Sequence, residues 1–255
     1  MNSPDKAFLG PWPYPRWIAH RGAGKLAPEN TLAAFRLGAV HGFRMFECDV
    51  KLSADGEPFL LHDADLGRTT SGQGVAGERR WDELSKLDAG SWHSPPYAGE
   101  PLLRLEALAR WLQANQLMVN LEIKPSPGQE ALTGAAVARE AARCWAGRAV
   151  MPLLSSFSVE ALQAAQHAVP ELPRALLLET LRPTWLSEAA DLQCVAVVVH
   201  HPHWTREAIA CAHGADLKAL TYTVNDHDRA DFLWSAGLDG LITDAVDVFD
   251  QTSAR

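Results

Sequence analysis

The stretch Met45-Phe46-Glu47-Cys48-Asp49-Val50-Lys51-Leu52-Ser53-Ala54-Asp55-Gly56-Glu57-Pro58-Phe59-Leu60-Leu61-His62-Asp63 decides how the chain folds. It contains two strand-like runs, Met45 to Leu52 and Pro58 to His62, joined only by Ser53 to Glu57. A parallel crossover needs a dozen or more residues, so these runs must pair antiparallel, with Asp55-Gly56 as the turn. Outward from this hairpin lie the strand candidates Trp17 to His20, Met118 to Lys124, Pro152 to Phe157, Arg174 to Glu179, Cys194 to His200, Lys218 to Val224 and Gly240 to Thr243. Helical segments alternate with most of them: Asn30 to His41, Leu105 to Asn115, Glu130 to Trp145, Val159 to Ala168, Arg206 to Ala212 and Asp228 to Ala236. Such alternation builds a parallel sheet covered by helices. Counting the hairpin as one stave with a returning arm reduces nine strands to eight. A chain of 255 residues then fits one TIM (β/α)₈ barrel without remainder.

Between Asp63 and Leu103 the periodicity fails. This segment is too long for a plain connection, and its interleaved Trp81, Leu84, Leu87, Trp92 and Tyr97 argue for a packed cap, with Trp92 either covering the pocket or anchoring the loop. The expected organisation is one domain over residues 1–255, with a core at 16–250 and an insertion at 64–103 after the hairpin.

Lys+Arg at 23 against Asp+Glu at 31 leaves a net charge of −8, which argues against wrapping nucleic acid or an anionic membrane surface. Met1 to Arg16 carries no apolar signal-peptide core, and no window approaches the roughly 20 apolar residues of a membrane span. Cys48, Cys144, Cys194 and Cys211 are scattered singly, as buried or idle thiols of a reducing compartment. The expectation is a soluble cytoplasmic protein whose oligomeric state the helix faces do not reveal.

Four strings stand at strand ends, where a parallel barrel builds its site: His20-Arg21-Gly22, Glu47-Cys48-Asp49, His62-Asp63 and Glu122-Ile123-Lys124. Alternation puts Glu47 and Asp49 on one face of their strand, and Glu122 and Lys124 on one face of another. Taken singly, each string has a bland reading: a solvated face, a satisfied histidine, a turn aspartate. Together, three carboxylates in one barrel mouth repel each other unless a positive charge sits among them, and an all-oxygen set favours Mg²⁺ or Ca²⁺. His20 and His62 are suited to divide proton transfer, while Arg21 and Lys124 suit a phosphate. Three carboxylates, one divalent ion and two cations sum to +1, which a phosphodiester monoanion neutralises.

The ordered set His20-Arg21-Gly22, Pro28-Glu29-Asn30-Thr31, Glu47-x-Asp49, Asp55-Gly56 before His62-Asp63, Arg68-Thr69-Thr70, Asn120 to Pro125, Ser155-Ser156-Phe157, Tyr222 to Asn225 and Asp239 to Asp244 resembles the glycerophosphodiester phosphodiesterases. The resemblance runs from Tyr14 to Asp247, and is strongest to cytosolic bacterial members encoded with the glycerol-3-phosphate uptake system. It implies a phospholipase-C-like TIM barrel that hydrolyses glycerophosphocholine, glycerophosphoethanolamine and similar diesters to sn-glycerol 3-phosphate and an alcohol. It further implies metal ligation by Glu47, Asp49 and Glu122, acid-base roles for His20 and His62, and phosphate binding by Arg21 and Lys124. Attack by the substrate's own 2-hydroxyl through a cyclic phosphate is the implied route. Tyr222 reads either as an apolar wall for the glycerol or as a plain core aromatic, and Asn225 as a partner for a hydroxyl. Asn30 reads equally as a helix N-cap or as support for the metal or His20, and His200, His201 and His203 as a strand-end loop beside the pocket. Two alternatives remain open: a phospholipase-D-like lyase that stops at the cyclic phosphate, and a barrel that only binds a phosphorylated ligand. A matched histidine pair has no use in the latter.

Overall fold

The computed structural model describes residues 12–249. The terminal parts of the expected domain, including Met1 to residue 11 and residue 250, lie outside them. In chain order the strands are β1 (Trp17–Ala19), β2 (Met45–Leu52), β3 (Pro58–Leu60), β4 (Met118–Ile123), β5 (Leu153–Ser156), β6 (Arg174–Leu178), β7 (Ala196–His200), β8 (Lys218–Tyr222) and β9 (Gly240–Thr243). The α-helices are α1 (Leu32–Val40), α2 (Trp81–Leu84), α3 (Leu105–Ala114), α4 (Glu130–Cys144), α5 (Val159–Ala168), α6 (Trp185–Asp191), α7 (Arg206–Gly214) and α8 (His227–Ser235).

The sheet closes. Every neighbouring pair from β1 through β9, β8, β7, β6, β5 and β4 to β2 is parallel, and β1 meets β2 with Ala19 opposite Phe46. This is the expected eight-stranded barrel. The ninth strand, β3, runs antiparallel to the upper half of β2, with Val50 opposite Leu60 and Leu52 opposite Pro58. β1 pairs β2 only at its lower end, so the returning arm takes over the edge that β1 leaves. The connecting turn is secured by Ser53, whose hydroxyl donates to Asp55 at 2.7 Å, and by Gly56 at φ +81.

Most expected strands run one or more residues past the observed ladder. His20, His62, Lys124, Phe157 and Glu179 therefore stand just beyond β1, β3, β4, β5 and β6, in the loops of the carboxyl-terminal rim. Two helices carried no clear sequence signal. α6 lacks an N-cap side-chain bond, and α2 is a single turn within the 64–103 segment. α1 is capped by Thr31, whose hydroxyl accepts from Ala34 N at 3.3 Å, so Asn30 is not its cap.

The period of two along β2 sorts its side chains. Phe46, Cys48 and Val50 join the large core between barrel and helices, whereas Met45 joins the smaller cluster inside the barrel. β4 repeats the rule, sending Val119, Leu121 and Ile123 outward. Ile18, Leu153, Ala175, Val198, Leu220 and Ile242 fill the barrel interior, and Tyr14 sits with them while donating to Met151 O at 2.8 Å. Glu47, Asp49, Asn120 and Glu122 thus occupy the inward positions nearer the carboxyl rim. The 64–103 segment packs around its own cluster of Leu61, Leu66, Ala76, Leu84, Ala89 and Leu102. Trp92 anchors rather than covers: its indole donates to Ala89 O at 2.9 Å, and it does not line the central cavity.

Gly24 couples two rim turns. It adopts φ +57, and a Cβ there would lie 2.0 Å from the carbonyl oxygen of Asp244. Neither a side chain nor ordinary L-residue geometry is tolerated. Gly24→Ala is expected to cost about 2–4 kcal/mol in urea unfolding, from backbone strain and overpacking together.

Candidate active site

The rim turns converge on a cavity of about 580 Å³ lined by His20, Arg21, Glu47, His62, Glu122 and Lys124 among others. Glu47, Asp49 and Glu122 are all under a tenth exposed. Each offers one carboxylate oxygen, and these three oxygens lie within 4.8 Å of one another. The register explains the approach, since Asp49 stands directly opposite Glu122 on neighbouring strands and Glu47 opposite Asn120.

Such crowding has electrostatic consequences. Burial first, and then the neighbouring carboxylates Asp49 and Glu122, hold the Glu47 carboxyl well above the usual range. Burial and Asp49 push Glu122 up to about 7. Asp49 differs: burial would raise it, but Arg21, Lys124 and His62, with a hydrogen bond from Asn30, outweigh that and bring it down to about 2. Arg21 Nε lies 3.3 Å from Asp49, and Lys124 Nζ lies 2.7 Å from Glu122 and 3.7 Å from Asp49. Burial lowers Lys124, yet Glu122 and Asp49 more than compensate and leave it above its ordinary value.

A divalent cation fits this set. Glu47 Oε1 and Asp49 Oδ1 are buried without a hydrogen-bond partner, and every donor is a hard oxygen. Lys51 follows Asp49 on the same strand face and is 2% exposed. Its ammonium, lowered by burial to about 8, donates to the Lys124 carbonyl at 3.1 Å and braces the end of β4.

Both histidines are held by an aspartate. His20 Nδ1 lies 2.6 Å from Asp244 Oδ1, and His62 Nδ1 lies 2.6 Å from Asp63 Oδ1. With Nδ1 committed to a carboxylate, Nε2 is the nitrogen of each ring left to face the cavity, and in His20 it lies 3.8 Å from Glu47 Oε2. Burial first, with Arg21 and Lys124 adding to it, holds the His62 imidazole below its ordinary value despite Asp49 and Asp63. Asp63, expected as a turn residue, is itself gripped by Arg68, which also reaches Glu29 at 2.8 Å. Glu29 in turn accepts from Arg21 at 2.9 Å. An ion-pair chain therefore runs from Asp63 through Arg68 and Glu29 to Arg21 and Asp49.

Asn30 resolves in favour of support. At φ +60 its amide donates to Asp49 Oδ2 at 2.8 Å, while its carbonyl oxygen accepts from Asp49 N at 3.2 Å. Asn225 corrects an expectation, because it does not reach the cavity. Its amide nitrogen donates to Asp244 Oδ2 at 3.2 Å and its oxygen accepts from Asp244 N at 2.8 Å, so it orients the carboxylate behind His20. Of the three clustered histidines, His200 lines the cavity and His201 and His203 do not. Tyr222 lines it, with its hydroxyl donating to Leu178 O at 3.2 Å. Asp244, Asn120 and Glu179 were not singled out by sequence. Asn120 was legible, since it lies two residues before Glu122 on one strand face. Asp244 was not, because its partner His20 is 224 positions away.

Residues 20–248 match the model of the glycerophosphoryl diester phosphodiesterase family. The chain belongs to that family. A glycerophosphodiester phosphodiesterase of Caldanaerobacter subterraneus is 30% identical over 232 residues, covering 89% of this chain and 93% of the relative. A structure of an Oleispira antarctica phosphodiesterase in complex with the product sn-glycerol-3-phosphate aligns with a TM-score of 0.85 at 33% identity, covering 93% of this chain and 94% of that one. A glycerophosphodiester phosphodiesterase from Agrobacterium tumefaciens aligns at 0.79 with 28% identity, covering 93% and 99%. Like these members of the family, the chain is a phosphodiesterase for glycerophosphodiester-like small molecules.

The raised Glu122 makes a pH prediction. Its folded value near 7 exceeds its ordinary 4.5, so the folded protein binds that proton more tightly. The associated stability is complete below about pH 4.5 and is lost as pH rises through about 7. In chelator-treated protein, wild type is therefore expected to lose melting temperature relative to E122Q between about pH 5 and pH 8, and Mg²⁺ or Ca²⁺ to restore it at the upper end. A difference that stays constant across that range would show that Glu122 does not titrate there.

Proposed function

We propose that this protein hydrolyses glycerophosphodiesters, such as glycerophosphocholine and glycerophosphoethanolamine, to sn-glycerol 3-phosphate and an alcohol, dependent on one divalent cation, Mg²⁺ or Ca²⁺. The observation that carries this reading is a pair of imidazoles, each oriented by an aspartate on Nδ1, facing the same cavity as Glu47 and Glu122 of the carboxylate cluster and two cations. The product bound by the Oleispira antarctica relative supports the product class.

Glu47, Asp49 and Glu122 would hold the metal ion, with Asn30 fixing Asp49. When bound, such an ion would supply Lewis-acid charge to a phosphate held beside it. Arg21 and Lys124 bind the phosphate and neutralise charge that develops on it. One imidazole accepts the proton of the substrate's 2-hydroxyl at Nε2 as the new O–P bond forms. The other donates a proton from Nε2 to the leaving alcohol oxygen as the old P–O bond breaks. The histidines then exchange roles while water opens the cyclic ester. An intramolecular nucleophile gains a large proximity advantage, and explains why glycerol is required on one side while the alcohol varies. Asp63 and Asp244 hold each ring in the useful tautomer and stabilise the imidazolium. Tyr222 forms part of the side wall.

This reading takes residues 1–255 as one catalytic domain with 64–103 as its cap, working in the cytoplasm. Among the described residues no helix is long and apolar enough to cross a membrane. The free cysteines, Cys48 and Cys194 buried, Cys144 half-buried and Cys211 exposed, are consistent with a reducing compartment.

The test is release of glycerol 3-phosphate from glycerophosphoethanolamine by chelator-stripped protein, titrated separately with Mg²⁺ and Ca²⁺, with products followed by phosphorus NMR. Metal-restored release is expected, and accumulation of a persistent cyclic ester would instead indicate a lyase. His20→Ala and His62→Ala are each expected to lower turnover about 10²–10⁴-fold with an unchanged melting temperature. Full activity in either variant would overturn the acid-base assignment.

A further inference from the structure

The cavity has two unlike halves. Beyond the Lys124 ammonium, which lies 5.5 Å from the centre of the Phe157 ring, the wall is aromatic. Phe157 meets Tyr222 edge-on at 5.8 Å, and Tyr222 meets the His200 ring at 5.6 Å. At this wall stands Glu179, just past β6, an exposed carboxylate that lines the cavity and makes no hydrogen bond or ion pair with the described residues. The other acidic groups of the site, Glu29, Asp63, Asp244, Glu122 and Asp49, all face a cationic or histidine partner. The bond from Tyr222 to Leu178 O ties the phenol to the residue before Glu179. Burial first, and then the Glu179 carboxylate, push the Tyr222 phenol above its ordinary value, which fits their proximity.

We infer that Glu179, Phe157, Tyr222 and His200 form a subsite for a cationic head group, a primary or quaternary ammonium carried by the alcohol half of the diester. This rests on the phosphodiesterase reading and assigns the selectivity of that same site. Two physical terms combine there: an unpaired carboxylate supplies Coulomb attraction, and ring faces attract an ammonium that has shed part of its water. A neutral polyol head group gains neither. The position suits one half of a diester, since Lys124, the residue assigned to the phosphate, lies 5.5 Å from the Phe157 ring, which meets Tyr222. Glu179 touches none of the groups that move protons, so it acts on recognition.

The experiment compares kcat/KM on glycerophosphocholine, glycerophosphoethanolamine and glycerophosphoglycerol for wild type and Glu179→Gln. The wild type is expected to prefer the two cationic substrates, and E179Q to lower the ratio of either to glycerophosphoglycerol about tenfold. A loss shared equally by all three substrates, or no preference in wild type, overturns the subsite. Saturation-transfer NMR with free choline reads the subsite without turnover: signal in wild type and its loss in E179Q are expected. No choline signal in wild type overturns the proposal. Choline binding that depends on Glu179, with no diester hydrolysed, upholds the cation subsite and refutes the phosphodiesterase reading instead.

Discussion

Mutual repulsion among Glu47, Asp49 and Glu122 is the constraint around which the rest of the barrel mouth is arranged. Three carboxylates with oxygens within 4.8 Å, all nearly buried, are costly to ionise together. Two responses are visible. Arg21, Lys124 and Asn30 concentrate on Asp49, which stays ionised, while Glu47 and Glu122 are driven toward their protonated forms. A divalent cation placed among the three would relieve the same repulsion more completely.

The cations also need orienting, and the barrel does this through carboxylates placed farther from the cavity. Arg68 links Asp63 to Glu29, and Glu29 holds Arg21, so that one exposed arginine steadies both a histidine partner and a guanidinium facing the cavity. On the opposite side Asn225 holds Asp244, which holds His20. The two histidines are thus supported by equivalent but unrelated devices. One is local to a single loop, and the other joins three rim turns. Gly24 sits where two of those turns touch, and its missing side chain permits Asp244 to approach.

The returning arm β3 has a comparable role. By pairing with the upper half of β2, it delivers His62 to the rim directly beside the carboxylates of that strand. A helical crossover would have sent the chain to the outside of the barrel. The short turn at Ser53 to Glu57 makes that impossible, so a local chain-length limit places a histidine in the site.

The features legible in the sequence are those set by local covalent geometry. The period of two along β2 and β4 put Glu47, Asp49 and Glu122 inward and Phe46, Cys48, Leu121 and Ile123 outward, and the length of one turn identified the hairpin. Strand ends, Trp92 and Asn225 were less legible, because ladders stop where neighbours stop and a rim side chain follows whichever partner is nearest. What only the tertiary structure decided are the pairings that closure creates: His20 with Asp244 across 224 positions, Asn30 with Asp49, and Glu179 beside Tyr222 on one cavity wall. Alternation is a property of a strand by itself, whereas a contact between the first and last turns of a barrel exists only once the sheet has closed.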